Sequence, residues 1–371
     1  MDDAHRDWLA LTLVPGIGTA LFIRLLARFH SAENVLRASR GALEEVVGPV
    51  LAERIAQYAD VADVSGQERA LEKHGAGLVT LEDPEYPLLL AEIYDPPLVL
   101  FTRGALTEAD QCCVAIVGTR RATPYGIRMA ERFGRELAHR GVTVVSGMAA
   151  GIDAAAHRGA LEAGGRTIAV LGNGVDVVYP PQHAELMQEI IAHGCVLSQF
   201  PMGTEPSRGH FPYRNRLISG LSQGTLVVEA PIKSGALITA RHAADQGREV
   251  FAVPGQVGVK NSEGPHSLIR DGAKLAETVE DILVELELPV QKTPARTEPQ
   301  LAPPDKAVSA DAPAASGRER AILAAVAPEG SFVDEIAAAC RIPVSEALSS
   351  LTVLELKGLV RQFSGKRFAP R

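Results

Sequence analysis

Apolar residues follow two rhythms along this chain. Over residues 1–78 they recur in short runs at helical spacing, without the alternation of β-branched side chains that marks strands, which predicts a small helical domain. Val14-Pro-Gly-Ile-Gly18 lies between two such runs, and Val47-Gly-Pro-Val-Leu-Ala-Glu-Arg-Ile55 echoes it more weakly. The pair suggests two helix-hairpin-helix units, whose turns aim backbone N–H groups at a phosphate. Residues 1–80 carry eleven acidic and eight basic side chains, so a tight turn between packed helices is slightly preferred over a DNA contact. Gly16-Ile-Gly18 is not read as a dinucleotide fingerprint, because no strand precedes it and no third glycine follows.

From residue 112 the rhythm changes to short, nearly continuous apolar runs alternating with helical stretches: 113–117, 143–145, 167–171, 225–228 and 249–253. Such runs suit parallel strands covered on both faces, and each leads through a Gly- or Pro-containing loop into a helix. The prediction for residues 79–288 is an α/β, extended Rossmann-like, doubly wound sheet whose ligand-binding loops follow the carboxyl ends of the strands. Residues 289–316 hold six prolines among Ala, Thr and Ser and read as a flexible linker. Residues 317–371 read as a winged helix: helices at 318–326, 333–340 and 344–357, then two strands about a Ser-Gly turn.

Composition changes this picture in few places. The chain of 371 residues is long enough for two or three folding units, and 46% hydrophobic with 22% charged residues is ordinary for a soluble protein. No apolar run is long enough to span a membrane, and the start, Met-Asp-Asp-Ala-His-Arg-Asp-Trp, does not resemble a secretory leader, so a cytoplasmic location is expected. Four cysteines (Cys112, Cys113, Cys195 and Cys340) form no metal-ligand spacing and are expected to be reduced and mostly buried. The net charge of −8 is unevenly spread. Residues 81–110 hold seven acidic and one basic side chain and residues 249–288 eight and three, whereas residues 201–248 hold six basic and three acidic. A local basic face is therefore compatible with an acidic protein.

The loops carry the candidate chemistry. Gly118-Thr-Arg-Arg-Ala-Thr-Pro-Tyr-Gly126 begins with Gly118, Thr119, Arg120 and Arg121 and ends at a helix that Thr123 can cap and Pro124 can open. A helix amino terminus beside a forked guanidinium predicts an anion site, with pairing to a neighbouring carboxylate as the competing use of Arg121 above all. Ser146 and Gly147 open a second glycine-flanked loop. Phe211-Pro-Tyr-Arg-Asn-Arg216 interleaves rings with guanidinium groups, as single-stranded nucleic acid requires for stacking and charge neutralisation. Of Arg214 and Arg216, flanking Asn215 on one helix, one should line the groove while the other pins the loop. Lys233, Ser234 and Gly235 follow the next strand and should reach the same edge.

Catalytic patterns are thin. The chain has no Gly-x-Ser-x-Gly and no phosphate-binding Gly-x-x-x-x-Gly-Lys. Asp153 and His157, four apart, could form a catalytic pair, but a helix-positioning hydrogen bond is the preferred use. No catalysis, cofactor or metal is assigned.

Taken together, Val114-Ala-Ile-Val-Gly-Thr-Arg120, Val145-Ser-Gly-Met-Ala-Ala-Gly-Ile-Asp153, Phe211-Pro-Tyr-Arg-Asn-Arg-Leu-Ile-Ser-Gly-Leu221, Val228-Glu-Ala-Pro-Ile-Lys-Ser-Gly-Ala-Leu-Ile-Thr-Ala240 and Gly247-Arg-Glu-Val-Phe-Ala-Val-Pro-Gly255 resemble the DNA-processing protein A family. The resemblance covers residues 80–285 closely. It implies a Rossmann-like core that forms a homodimer, binds single-stranded DNA, relieves the barrier posed by single-strand-binding protein and loads a RecA-type recombinase during natural transformation. By motif, it puts DNA contacts on Gly118, Thr119 and Arg120 and on Arg214, Asn215 and Arg216. The chain departs from the family pattern at Gln199, where a glutamate is more usual, and at residues 259–266, which replace a glycine-rich stretch. Lys357 is the only basic residue of the recognition segment 344–357, so a protein contact, or a duplex contact through the wing at Arg361, Lys366 and Arg367, is expected there.

Two other readings compete. A Rossmann-like nucleotide hydrolase would use a Pro-Gly-Gly-x-Gly-Thr-x-x-Glu loop, for which Ala230-Pro-Ile-Lys-Ser-Gly-Ala is a poor substitute. A nucleotide-sensing regulator would rest on the winged helix alone.

Overall fold

The computed structural model describes residues 1–288, 322–323, 325–327, 331–340, 342–356, 359–363 and 367–370. The expected linker and the side chains of Lys357, Lys366 and Arg367 lie outside the described residues. The chain forms two compact units, Met1–Arg296 and Thr297–Arg371.

The first unit opens with helices α1 (Asp3–Leu13), α2 (Thr19–Phe29), α3 (Ala32–Arg37), α4 (Arg40–Val47), α5 (Pro49–Ala56), α6 (Tyr58–Val61) and α7 (Val64–His74). Their boundaries follow local chemistry. Asp2, Ser31, Ser39 and Asp63 each accept an amide hydrogen bond as helix caps, and Pro49 opens α5. The turns Val14–Gly18 and Gly48 join α1 to α2 and α4 to α5, the two hairpins expected from the sequence. The Arg54 guanidinium donates to the Pro15 carbonyl at 2.8 Å, which ties the second hairpin to the first.

The sheet follows, with β1 (Gly77–Thr80), α8 (Leu88–Ala91), β2 (Val99–Gly104), β3 (Cys113–Val117), α9 (Pro124–His139), β4 (Thr143–Ser146), α10 (Ile152–Glu162), β5 (Thr167–Val170), α11 (Ala184–His193), β6 (Cys195–Ser198), α12 (His210–Gly220), β7 (Gly224–Val227), α13 (Gly235–Asp245), β8 (Glu249–Ala252), α14 (Glu263–Arg270), β9 (Lys274–Leu275) and α15 (Val279–Glu285). The strand order is β1-β2-β6-β5-β4-β3-β7-β8-β9. Strands β3 to β9 are parallel, while β2 runs antiparallel to β6 and β1 to β2. The chain therefore winds outward from β3 to β6, then returns to β7 on the other side of β3. That reversal puts the topological switch point between β3 and β7, and a ligand site in a doubly wound sheet is expected near the carboxyl ends of the strands there.

The period of two along β3 divides the core. Val114 and Ile116 face α9 and α10 through Phe133, Leu137 and Ala156, and Cys113, Ala115 and Val117 face α12 and α13 through Leu217, Ile218 and Ala240. Helices α9 and α10 approach so closely that a Cβ on Gly159 would stand 2.2 Å from the Glu131 carbonyl oxygen, and one on Gly134 2.4 Å from that of Ala156. The amino-terminal helices share one apolar cluster with the sheet: Trp8, Leu11 and Phe22 belong with Val99, Phe101, Leu171 and Val196. Cys113 and Cys195 are buried, and Cys112 and Cys340 partly exposed.

In the second unit, helices Val333–Cys340 and Val344–Leu356 pack with a sheet ordered β10 (Ser331–Phe332), β12 (Arg367–Pro370), β11 (Val360–Phe363). Ile336, Leu351, Leu354, Val360 and Phe368 form its core. This is the expected winged helix. Among the described residues, no helix is long and apolar enough to cross a membrane.

Candidate nucleic-acid interface

A cleft of about 200 Å³ opens at the carboxyl ends of β3, β4 and β5. Of the residues expected to contact DNA, it brings together Arg120, Gly147, Phe211 and Arg214. Arg120 is exposed and in no ion pair among the described residues, and its guanidinium carbon lies 5.0 Å from the centroid of the Phe211 ring. Phe211 in turn leans on Tyr179, with ring centroids 5.5 Å apart. The result is a cation on an aromatic pair at the mouth of the cleft, worth about 0.5–1 kcal/mol while exposed and more once water is excluded.

Arg214 forms the floor. It is 4% exposed, and its Nη1 donates to the carbonyls of Gly147, at 3.0 Å, and Val170, while Nε donates to Asn215 Oδ1 at 3.3 Å. Gly147 is required there, because a Cβ would stand 2.6 Å from Nη2 and 2.8 Å from Cζ. Burial pulls the Arg214 pKa down to about 10, Asp153 opposes that shift and Arg120 adds to it. The side chain thus stays cationic at neutral pH. Two guanidinium groups that repel one another line a single cleft, an arrangement an anion between them would relieve.

The expected anion site at the start of α9 is already filled. The Glu229 carboxylate, 3% exposed, accepts from the Thr123 amide at 2.8 Å, the Thr123 hydroxyl at 2.5 Å and Asn261 Nδ2 at 3.3 Å. It lies so near the helix that a Cβ on Gly126 would meet its carboxylate 2.5 Å away. A buried anion from the β7 loop therefore satisfies this helix terminus, and the loop offers the Arg120 side chain in place of free amides.

The other expected residues lie outside the cleft lining, and several of them hold it in place. Thr119 is buried: its amide donates to the Glu229 carbonyl at 2.7 Å and its hydroxyl accepts from the Arg121 amide at 3.2 Å. Gly118 lets the Ile152 side chain pack within 2.4 Å of where a Cβ would stand. Arg121 is exposed, in no ion pair among the described residues, and its carbonyl accepts from Asn261 Nδ2 at 3.0 Å. The Ser146 hydroxyl is turned into the sheet, donating to the Ile116 carbonyl at 2.6 Å. Asn215 donates to the Gly235 carbonyl at 3.3 Å. Ser234 caps α13, and Lys233 is exposed on the β7 loop outside the cleft lining, so the expected convergence extends to the sheet edge and not to the cleft itself.

Arg216 pins a loop, as one of the two helix arginines was expected to do. Its Nη1 donates to the Asp95 carbonyl, its Nη2 donates to Gln199 Oε1 at 2.6 Å, and its guanidinium lies 4.4 Å from the Tyr213 ring centroid. Gln199 Nε2 and Arg216 Nε are buried without partners among the described residues.

Asp153 and His157 do not bond to one another. Asp153 accepts from the Ala149 amide at 3.3 Å, and burial raises its pKa. The Thr167 hydroxyl donates to the Val144 carbonyl at 2.7 Å and so accepts from His157 Nδ1 at 2.7 Å, which leaves the fully buried Nε2 bare and unpartnered. Burial, then His183 and Arg214, lower the His157 pKa to about 3. Neither side chain forms the hydrogen bond between them that the spacing suggested. Sequence reasoning also missed Tyr179, whose only signal was an aromatic residue before two prolines, and Glu229.

Comparisons with known proteins agree with this architecture. Residues 77–287 match the family model for DNA recombination-mediator protein A, and residues 294–366 match that for the DprA winged helix domain. The chain is 38% identical to Protein Smf of Synechocystis sp. over 98% of both chains, and 41% identical to Protein Smf of Escherichia coli over 80% of this chain and 78% of that one. The crystal structure of DNA processing protein A from Streptococcus pneumoniae is 34% identical, with a TM-score of 0.69 over 78% of this chain and all of that one. DNA processing protein A from Helicobacter pylori, described for its single-stranded DNA binding mode, is 32% identical, with a TM-score of 0.51 over 57% of this chain and 95% of that one. By sequence and by fold, the chain belongs to the DNA recombination-mediator protein A family.

Proposed function

We propose that this protein binds single-stranded DNA along the carboxyl edge of its sheet and passes it to a RecA-type recombinase, displacing single-strand-binding protein, as a cytoplasmic homodimer paired through its Rossmann-like core. It acts as a binding and loading factor and not as an enzyme. The observation that carries this reading is the Arg120–Phe211–Tyr179 stack beside the buried Arg214: a phosphate lies between the two guanidinium groups while an adjacent base packs against the half-buried Tyr179 ring. The single-stranded DNA binding mode described for the Helicobacter pylori relative supports it. The nucleotide-hydrolase alternative draws no support from the carboxylates near the cleft, since Asp153 and Glu229 lie outside its lining and are both buried and hydrogen-bonded to the backbone. The winged helix serves a protein partner or duplex phosphates through its wing.

Fluorescence anisotropy with labelled oligo-dT and a matched duplex, across a salt series, tests the proposal. Single strands should bind more tightly, with a steep salt slope that Arg120→Ala reduces by about one unit. Equal or absent binding of both forms would return the cleft to a small ligand.

A further inference from the structure

The acidic stretch 81–110 plays no part in the proposed DNA contact, and the fold gives it a use. A second groove, of about 670 Å³, lies between α8 with its flanking loop and the segment before β3. Its lining includes Glu85, Glu92, Glu108 and Asp110 and no basic side chain. Leu88, 72% exposed, and the half-buried Leu106 supply apolar surface, with Ile168 and Leu221 buried behind them.

The carboxylates are not equivalent. Asp110 accepts from Arg166 Nε at 2.9 Å and Nη2 at 2.7 Å, and Glu92 accepts from Arg248 at 3.2 Å. Glu85 and Glu108 are exposed and in no ion pair or side-chain hydrogen bond among the described residues. Gln223 also lines the groove, and its Oε1 is buried without a donor among the described residues. An apolar trough with two uncompensated carboxylates and an unfilled acceptor suits a donor-rich cation attached to an apolar side chain.

We propose that this groove docks a partner protein through a basic segment, seating one of its apolar side chains against Leu88 and Leu106 and pairing its flanking arginine or lysine residues with Glu85 and Glu108. Gln111 and Gln223 precede β3 and β7, whereas Arg120 and Leu171 follow β3 and β5. The two sites therefore lie at opposite ends of the parallel strands, and a partner held here leaves the DNA cleft open. The docking site does not depend on the DNA reading.

The test uses the full chain and a fluorescein-labelled octapeptide of alternating arginine and leucine, with glutamate replacing arginine in the control. The basic peptide should bind and the acidic one should not. Glu85→Lys with Glu108→Lys should weaken binding at least tenfold, and Gln223→Leu severalfold, without moving the thermal midpoint or oligo-dT affinity. Hydrogen exchange should slow at residues 84–92 and 106–111 when the peptide is added. Equal binding of both peptides, unchanged binding after charge reversal, or protection confined to other segments would each overturn the proposal. Failure of the DNA reading is seen separately, as loss of oligo-dT binding with peptide binding intact.

Discussion

The Glu229 carboxylate accepts hydrogen bonds from both the amide and the hydroxyl of Thr123, while that hydroxyl accepts from the Gly126 amide at 3.2 Å. One buried carboxylate thus fixes the start of α9 and the loop that carries Arg120. Glu229→Ala would leave the Thr123 amide and hydroxyl donors without partners in the interior. The expected cost is about 2–4 kcal/mol in denaturant unfolding. Glu229→Gln, which keeps an acceptor, should cost less. Oligo-dT affinity should fall in the same order as Arg120 loses its fixed position.

Gly147 is a steric gate on Arg214. An alanine there places its Cβ 2.6 Å from Arg214 Nη2, so the guanidinium must leave its seat on the Gly147 and Val170 carbonyls or the β4 loop must move. Gly147→Ala is expected to weaken oligo-dT binding at least tenfold while circular dichroism stays native. Unchanged affinity would mean that Arg214 is structural and not a phosphate ligand.

His157 makes stability depend on pH. Its ordinary pKa of 6.5 describes the unfolded chain, and in the folded chain it lies near 3. Below pH 6.5 the unfolded chain takes up a proton that the folded chain refuses, so this contribution is complete above pH 6.5 and is lost as pH falls toward 3. Between pH 7 and pH 5 the loss amounts to about 2 kcal/mol. Asp153, whose pKa is raised, acts in the opposite sense at lower pH. Comparison with His157→Gln therefore isolates the histidine: the variant's stability should fall less steeply over that interval in urea unfolding.

Gln199→Glu is expected to stabilise the fold. It removes a buried amide donor that has no partner and puts charge on the existing hydrogen bond to Arg216. A gain of about 1–2 kcal/mol is expected, read as a higher midpoint of thermal unfolding. An unchanged or lower midpoint would show that carboxylate desolvation outweighs the stronger bond.

Much of this was legible in the sequence because it rests on local rules. The apolar runs at 113–117 and 167–171 fall on β3 and β5 because strands buried on both faces need continuous apolar sequence. The cap at Thr123 is set by side chains within a few residues. What escaped was non-local. Strands β1 and β2 follow no turn signature tying them to β6, and their pairing depends on a distant edge. Glu229 looks the same in sequence whether its carboxylate faces a ligand or a helix terminus, and its partner lies 106 residues away. Arg214 and Phe211 were legible as chemistry, but only the fold separates the arginine that lines the cleft from Arg216.

The antiparallel addition of β2 to β6 bears on how the chain is made. Residues 99–104 leave the ribosome long before Cys195–Ser198, with which they pair. During that interval the β2 edge that will meet β6 stays unpaired, together with the apolar Val99 and Phe101 face that the amino-terminal helices cover. Those helices are translated first. They are thus positioned to shield a nascent, aggregation-prone hairpin until the partner strand is synthesised.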